Sequence, residues 1–468
     1  MVIKNLKIAV AGMGRSGLAI AKSAKKNGAY PVVYDEQSLV DSAHIHALEQ
    51  LDALGIPSVT SWHGHLDPDE FDLLVASPGF GRTHPAICDA LAAEKEVISE
   101  IEFAWRIATS PIIAITGTNG KSTTSVMTWM ALKGAGQNAI LCGNISGSGY
   151  EELTLTEAAD QSGPDDVLVA EISSFQLEWI KYFRPKVATI TNITPDHLDR
   201  YLNFEEYFQT KLKLFENMDT RDKVILNVNE SSLPPSKILS VLNQGAEPYF
   251  FSIEPEKMEP HAQNFKVYCE DEHLVVYNQK SPLSKFPFFS QHQIANAAQA
   301  FSLAGAFLNN PSDKQVSGML EALRSFQGLQ NRMEMLDQQN GVMIINNSMC
   351  TNPMAVVVSS RSIQGKQHLL MGGNPKNLEF SKVSQYLKDT EHLVYIFGMN
   401  ASEFNEKLGG VWPCYSSLEE AFQNAASAAK PGETIMLVPG CASAFPYANF
   451  RERGDAFREI VKKWMNQK

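Results

Sequence analysis

Residues 111–123, PIIAITGTNGKST, constrain this chain more than any other stretch. The apolar run 111–115 reads as a buried strand and 124–134 as a helix. Between them lies Gly117-Thr118-Asn119-Gly120-Lys121-Ser122-Thr123. Glycines let the backbone curl so that successive N–H groups face one anion, and the helix N-terminus adds partial positive charge. Lys121 is then placed against the outer phosphates of a nucleotide, with the Ser122 or Thr123 hydroxyl available to Mg²⁺. The general phosphate-loop pattern has a further glycine where this chain has Ile115, so the loop is the shorter TGTNGKST variant. The alternative is a plain Gly/Asn turn with an exposed lysine; the flanking strand and helix argue for phosphate.

The same strand–turn–helix rhythm recurs along the chain. Residues 7–11, 31–34 and 73–76 read as strands, as do 167–171, 187–191 and 224–227, and then 343–346, 368–371, 393–397 and 435–438. Helical patterns separate them, which predicts parallel α/β sheets. Three α/β units follow, 1–100, 101–328 and 329–468. A length of 468 residues agrees, at roughly 150 residues per domain. Residues 255–285 are polar and alternating, a β-rich insertion with no chemistry of its own. With 44% hydrophobic residues the chain is globular, and its 40 basic against 52 acidic residues give a net charge of −12. That balance disfavours non-specific binding to nucleic acid or anionic membranes. No apolar run is long enough for a membrane span, and residues 1–14 lack a signal-peptide layout. Six cysteines without CxxC spacing suggest reduced thiols and a cytoplasmic location.

Other residues carry chemical possibilities. Gly12-Met13-Gly14-Arg15-Ser16-Gly17 follows a strand and opens a helix, with Asp35 ending the next strand. This fits a dinucleotide, and equally the diphosphate of a nucleotide-linked substrate, with Arg15 adding charge. Glu171 ends a strand, where a carboxylate faces the ligand crevice and suits Mg²⁺. His197, beside Asp196 and Asp199, is a metal ligand, a general base or simply a solvated loop group. Lys211 lies in a helical pattern, 204–218, and its local sequence reads as a solvated face residue.

With GTNGKST, EISSFQLE, NITPDHLDRY and the lysine after EEYFQT in this order, the chain resembles the Mur ligases over essentially its whole length. GMGRSG, VASPG (75–79), GNIS (143–146), SQHQIAN (290–296), NRME (331–334), GGNPK (372–376) and PGCASAFPYANFRERG (439–454) extend the likeness. GTNGKST and DHLDR are shared with folylpolyglutamate synthases; SSFQLE and the closing CAS…NF…RG are similar to the MurD type. The resemblance implies an N-terminal Rossmann-like UDP-binding domain, a central P-loop-type ATPase domain and a C-terminal Rossmann-like domain. It implies a cytoplasmic, monomeric ligase of peptidoglycan precursor synthesis. ATP and two Mg²⁺ ions would serve the joining of glutamate to UDP-N-acetylmuramoyl-L-alanine through an acyl phosphate.

The resemblance also implies roles. Lys121, Glu171, His197 and Lys211 would be catalytic. Ser122, Glu171, His197 and a carbamoylated Lys211 would hold metal. Residues Gly117 to Thr123, with Asn296, Arg332 and Asn347, would bind ATP. Arg15, Ser16, Asp35, Ser77, Gly79, Asn144, Ser173 and Gln176 would bind the UDP-sugar. Thr351, Lys376, Ser443 and Phe450 would bind the amino acid, and the third unit would close over the site. Departures cluster on the nucleotide and amino-acid side. The family's NDSKATN reads Asn346-Asn347-Ser348-Met349-Cys350-Thr351-Asn352, replacing an aspartate and a lysine; Asn331 and Gln293 replace a histidine and an asparagine, and GNIG reads GNIS. D-glutamate is the expected substrate. An L-glutamate-adding variant is the main alternative, followed by a folylpolyglutamate-synthase-like ligase, a weak regulatory paralogue and a nicotinamide dehydrogenase.

Overall fold

The computed structural model describes residues 3–37, 42–197, 200–242, 245–254, 256, 265–287, 290–339, 341–375 and 378–466. The first region contains β1 (Lys7–Ala11), α1 (Arg15–Lys26), β2 (Tyr30–Tyr34), α2 (Ser42–Ala53), β3 (Ser58–Val59), β4 (Leu73–Ala76), α3 (Pro85–Ala92), β5 (Glu96–Ser99) and α4 (Glu100–Ile107). Its five strands run parallel in the order β3-β2-β1-β4-β5. Val10, Val75 and Ile98 pack on one face with Ile20 and Ala24 of α1; Ala9, Leu74 and Ala76 pack on the other with Ile87 and Ala90 of α3. A parallel sheet covered on both faces explains why its central strands, β4 and β1 after Lys7, are apolar and buried.

The second region contains β6 (Ile112–Thr116), α5 (Lys121–Gly134), β7 (Asn138–Gly143), α6 (Leu155–Gln161), β8 (Asp166–Glu171), α7 (Ser174–Leu177), β9 (Val187–Ile190), α8 (Phe204–Leu212), β10 (Lys223–Asn227), α9 (Pro235–Leu239), β11 (Glu247–Ser252), β12 (Phe265–Glu270), β13 (His273–Val276), β14 (Gln279–Pro282), α10 (Gln291–Leu308) and α11 (Asp313–Arg324). Its sheet order is β14-β13-β12-β11-β10-β9-β6-β8-β7. All neighbours are parallel except β12–β13 and β13–β14. Residues 265–282 thus extend this sheet as an antiparallel edge. β6 lies inside the parallel part of the sheet, between β9 and β8, and the loop after it opens where α/β sheets bind ligands, at the carboxyl ends of the strands.

The third region contains β15 (Glu334–Gln339), β16 (Val342–Asn346), α12 (Pro353–Arg361), β17 (Gln367–Gly372), α13 (Ser381–Lys388), β18 (Leu393–Phe397), α14 (Ala401–Lys407), β19 (Cys414–Tyr415), α15 (Leu418–Ala428), β20 (Thr434–Leu437) and α16 (Phe450–Asn466). The order is β15-β16-β20-β17-β18-β19, parallel except for β15–β16. Leu369 and Met371 alternate with Leu370 between its two cores. By contacts the chain forms two compact units. Met1–Ser146, Tyr150–Phe286 and Ile294–Arg324 form one; Gly147–Gly149, Pro287–Gln293 and Ser325–Lys468 form the other.

Two local expectations change. The helix after the phosphate loop begins at Lys121, because Gly120 takes a left-handed φ of 80° and GKST becomes its first turn. The 204–218 helix stops at Leu212 and tightens into a 3₁₀ turn, Lys213–Phe215, a common way for a helix to end. Among the described residues no helix is long and apolar enough to cross a membrane. The six cysteines are free, four of them buried.

Candidate active site

The phosphate loop is shaped by close backbone approach. Gly117 has φ 146°, and a Cβ there would lie 1.9 Å from Thr191 Oγ1; a Cβ on Gly120 would lie 2.7 Å from Asn296 Oδ1. Thr118 N–H donates to the Asn192 carbonyl at 2.9 Å and Asn119 N–H to Asn192 Oδ1 at 3.0 Å. Thr191 Oγ1 donates to the Asn119 carbonyl at 2.6 Å. The 191–192 segment therefore holds the loop, and no acidic residue occupies the first turn of α5, where Lys121, Ser122 and Thr123 sit. Asn296 is brought to the same place from α10, accepting from Thr124 Oγ1 at 3.4 Å.

Two lysines converge on one carbonyl. Lys121 Nζ donates to Gly117 O at 3.0 Å and to Thr118 O at 2.8 Å. Lys211 Nζ donates to the same Gly117 O at 2.9 Å and to Thr116 Oγ1 at 3.3 Å. Lys211 is only 2% exposed, which overturns the reading of a solvated lysine. It sits on the inner face of α8, against the end of β6, with Tyr207 beneath it. Burial first, then the Lys121 charge, lowers its pKa to about 7, against the opposing pull of Asp196 and Glu171.

Glu171 ends β8 and is buried. Oε1 accepts from Asn144 Nδ2 at 3.0 Å, while Oε2 is buried without a hydrogen-bond partner. An unpartnered buried carboxylate oxygen, on a residue whose charge acts on Lys211, is the donor chemistry a hard cation requires. His197 is half exposed, with left-handed φ 53°, and its ring packs against Phe175 at 4.7 Å. Among the described residues no three His, Cys, Asp or Glu side chains cluster as a metal cage. Mg²⁺ does not need one, since it keeps several waters and substrate oxygens.

The GMGRSG loop lies in the same unit. A Cβ on Gly17 would lie 1.8 Å from the Gly12 carbonyl, and one on Gly12 2.8 Å from Ser77 Oγ, itself buried and unpartnered. Gly14 caps α1 with no side-chain bond, leaving the Arg15–Ser16 turn open to an anion. Arg15 donates to the Ile145 and Glu152 carbonyls, at 3.3 and 2.7 Å. Asp35 accepts N–H groups from Met13 and Gln37, so it holds this loop in place. Gly79 is exposed, with open space at its Cβ position. Ser173 and Gln176 form the capping box of α7, and Gln176 Nε2 also reaches the buried Glu100 at 3.3 Å. Glu100, absent from the sequence reading, thus backs a predicted sugar contact. Only its place after a strand hinted at it.

In the second unit Arg332 is flanked by two left-handed residues, Asn331 (φ 61°) and Met333 (φ 45°). Its Nη2 meets Met349 Sδ at 3.2 Å, where the family's lysine is missing. Asn347 accepts from Met333 N–H at 3.2 Å and donates to Ser359 Oγ at 2.8 Å, a donation that a carboxylate could not make. Ser443 Oγ is buried and unpartnered, Thr351 precedes α12, and Phe450 opens α16. Lys376 lies outside the described residues. A cavity of about 260 Å³ opens at the ends of β17 and β18, among Phe397, Leu418, Phe445, Tyr447 and Arg453. None of Thr351, Ser443 and Phe450 lines it.

Known proteins resemble this chain over nearly its whole length. The model for the MurD-like N-terminal domain of Mur ligases matches residues 6–99, and that for the Mur ligase middle domain matches 115–304. A protein of Alkaliphilus metalliredigens is 33% identical over 474 residues, 98% of this chain and 99% of that one. One of Caldanaerobacter subterraneus is 33% identical over 469 residues, again 98% and 99%. The chain belongs to the Mur ligase family. Both relatives are named UDP-N-acetylmuramoylalanine–D-glutamate ligase. Among solved structures, the UDP-N-acetylmuramate–alanine ligase of Thermotoga maritima superposes with a TM-score of 0.54 at 17% identity, covering 99% of this chain and all of that one. The MurF ligase of Thermotoga maritima in complex with ADP gives 0.53 at 14% identity, covering 98% and 96%. At such identities these two establish the shared fold alone.

Proposed function

We propose that this chain is an ATP-dependent ligase that joins D-glutamate to UDP-N-acetylmuramoyl-L-alanine in peptidoglycan precursor synthesis in the cytoplasm. The observation that carries this reading is the pair of lysines on the Gly117 carbonyl, with the unpartnered Glu171 oxygen among the charges that act on Lys211. In this reading region 1–100 holds the UDP end, 101–328 holds ATP and 329–468 holds the amino acid. The substrate carboxylate attacks the γ-phosphorus of ATP and ADP leaves. The glutamate amine then attacks the acyl carbon, phosphate departs and the nitrogen loses a proton.

Such a transfer depends on positioning and charge neutralisation. Lys121 swings from the loop carbonyls to the β- and γ-phosphates, and the first turn of α5 donates N–H groups to them. Ser122 and Glu171 would hold one Mg²⁺, and His197 with Lys211, if carbamoylated, a second; such ions would supply charge neutralisation at the transferring phosphoryl group. Lys211 suits carbamoylation because burial populates its neutral amine near pH 7, and a neutral amine is what attacks CO₂, releasing one proton. Arg332, Asn296 and Asn347 serve ATP; Thr351, Lys376, Ser443 and Phe450 serve glutamate.

Phosphate release with UDP-N-acetylmuramoyl-L-alanine, ATP and a panel of D-glutamate, L-glutamate, D-glutamine and meso-diaminopimelate tests the reading. D-glutamate alone should sustain turnover. Met349, standing where the family has lysine, favours L-glutamate addition as the second reading, and turnover confined to L-glutamate would establish it. Phosphate release with none of the four would overturn the ligase assignment.

Met349→Lys tests the departure itself. Because Met349 touches Arg332, the new ammonium joins a guanidinium and strengthens an anion site. The KM for ATP or glutamate should fall by about 10-fold, the scale of one charge-assisted hydrogen bond, with the KM for the UDP-sugar unchanged. An unchanged KM for both would show that position 349 faces neither ligand.

A further inference from the structure

Arg200 closes the DHLDR string, yet the reaction above gives it no task. Its guanidinium is engaged on all sides. Nε donates to Glu178 Oε1 at 3.0 Å and Nη2 to Glu178 Oε2 at 2.9 Å, on a carboxylate with 1% side-chain exposure. Nη1 donates to the Pro78 carbonyl at 2.8 Å, and Nη2 also to the Phe80 carbonyl at 2.9 Å. Its flat face lies 4.3 Å from the centre of the Phe175 ring, whose neighbour is the His197 ring. Its own N–H donates to the His197 carbonyl at 3.0 Å.

These contacts join three pieces of the first unit. The 78–80 turn contains Gly79 and follows Ser77, and the Phe80 ring borders Gly12 of the GMGRSG loop. Phe175 and Glu178 belong to the SSFQLE segment with Ser173 and Gln176. The third piece is the His197 loop. The first piece belongs to the nucleotide end of the substrate and the other two to its reacting end. A second link, Arg82 to Glu206 at 2.8 Å, is largely exposed and contributes little on its own.

We propose that Arg200 is a positioning residue for the UDP-sugar substrate: its fork, anchored on Glu178, clamps the 78–80 turn to the His197 loop and so sets the span between the nucleotide pocket and the phosphorylation site. This rests on the function proposed above. The task needs a planar group with several fixed donors, because one side chain must satisfy a bidentate carboxylate and two carbonyls together. A lysine ammonium can keep the charge beside Glu178 but cannot hold both carbonyls.

The test is Arg200→Lys in the full-length enzyme. KM is measured separately for UDP-N-acetylmuramoyl-L-alanine and ATP, binding of the UDP-sugar is measured by calorimetry without ATP, and Tm is recorded. The wild type must turn over the UDP-sugar; if it does not, the functional reading has failed rather than this one. The expected result is a rise of about 10-fold or more in both KM and Kd for the UDP-sugar, an ATP KM within about twofold of wild type, and a Tm within a few degrees. Glu178→Gln, isosteric and with Arg200 retained, should shift the same constants in the same direction by less, and it decides the matter if Arg200→Lys does not fold. Unchanged UDP-sugar constants, or an equal loss for both substrates, would overturn the proposal.

Discussion

Lys121→Ala is expected to reduce turnover by about 10³-fold or more while leaving the protein folded, the scale seen when one charged donor is removed from a phosphoryl-transfer site. The reason lies in what holds the loop. Asn192 and Thr191 fix residues 118–119, and Gly117 and Gly120 supply the backbone geometry, so the loop keeps its shape without the lysine. What disappears is the mobile positive charge at the head of α5. Steady-state phosphate release and a circular-dichroism melt are sufficient to check this. Near-normal turnover would reduce GTNGKST to a turn.

The second large effect is expected at Lys211. Lys211→Ala should be inactive, and acetate or another small carboxylate should restore part of the activity. Rescue by an alkylamine would instead identify the ammonium as the working form. A pH dependence follows from the lowered pKa of about 7. Below that value the buried amine is protonated and cannot attack CO₂; above it the neutral amine predominates. In wild-type enzyme stripped of CO₂, activity regained at a fixed dissolved CO₂ concentration should therefore rise as pH increases through about 7. A flat response from pH 6 to 8 would argue against carbamoylation.

Much of the site was legible because it is local. A strand, a glycine turn and a helix within residues 111–134 specify an anion site through backbone geometry, which neighbouring residues decide among themselves. GMGRSG was legible for the same reason, although Asp35, read as a ligand contact, accepts the Met13 N–H of that loop and the N–H of its own neighbour Gln37. The local reading of Lys211 failed for the complementary reason. A lysine in a helical pattern looks solvated unless its partners are known, and those partners, Thr116 and Gly117, lie 95 and 94 positions away.

The sequence by itself determined the three α/β regions, the place of both glycine loops and the strand-end position of Glu171, since periodicity, turn residues and strand ends are properties of short segments. Tertiary structure alone decided which polar atoms end up buried together. It brought Lys121 and Lys211 to one carbonyl, left one Glu171 oxygen without a partner, and laid Arg200 across the 78–80 turn. Hydrogen bonding and charge act through distance in space, and desolvation depends on what covers a group from every side. Neither is encoded in the spacing of residues along the chain, so the charge state of Lys211 emerges only when the ends of β6 and β8 meet the inner face of α8.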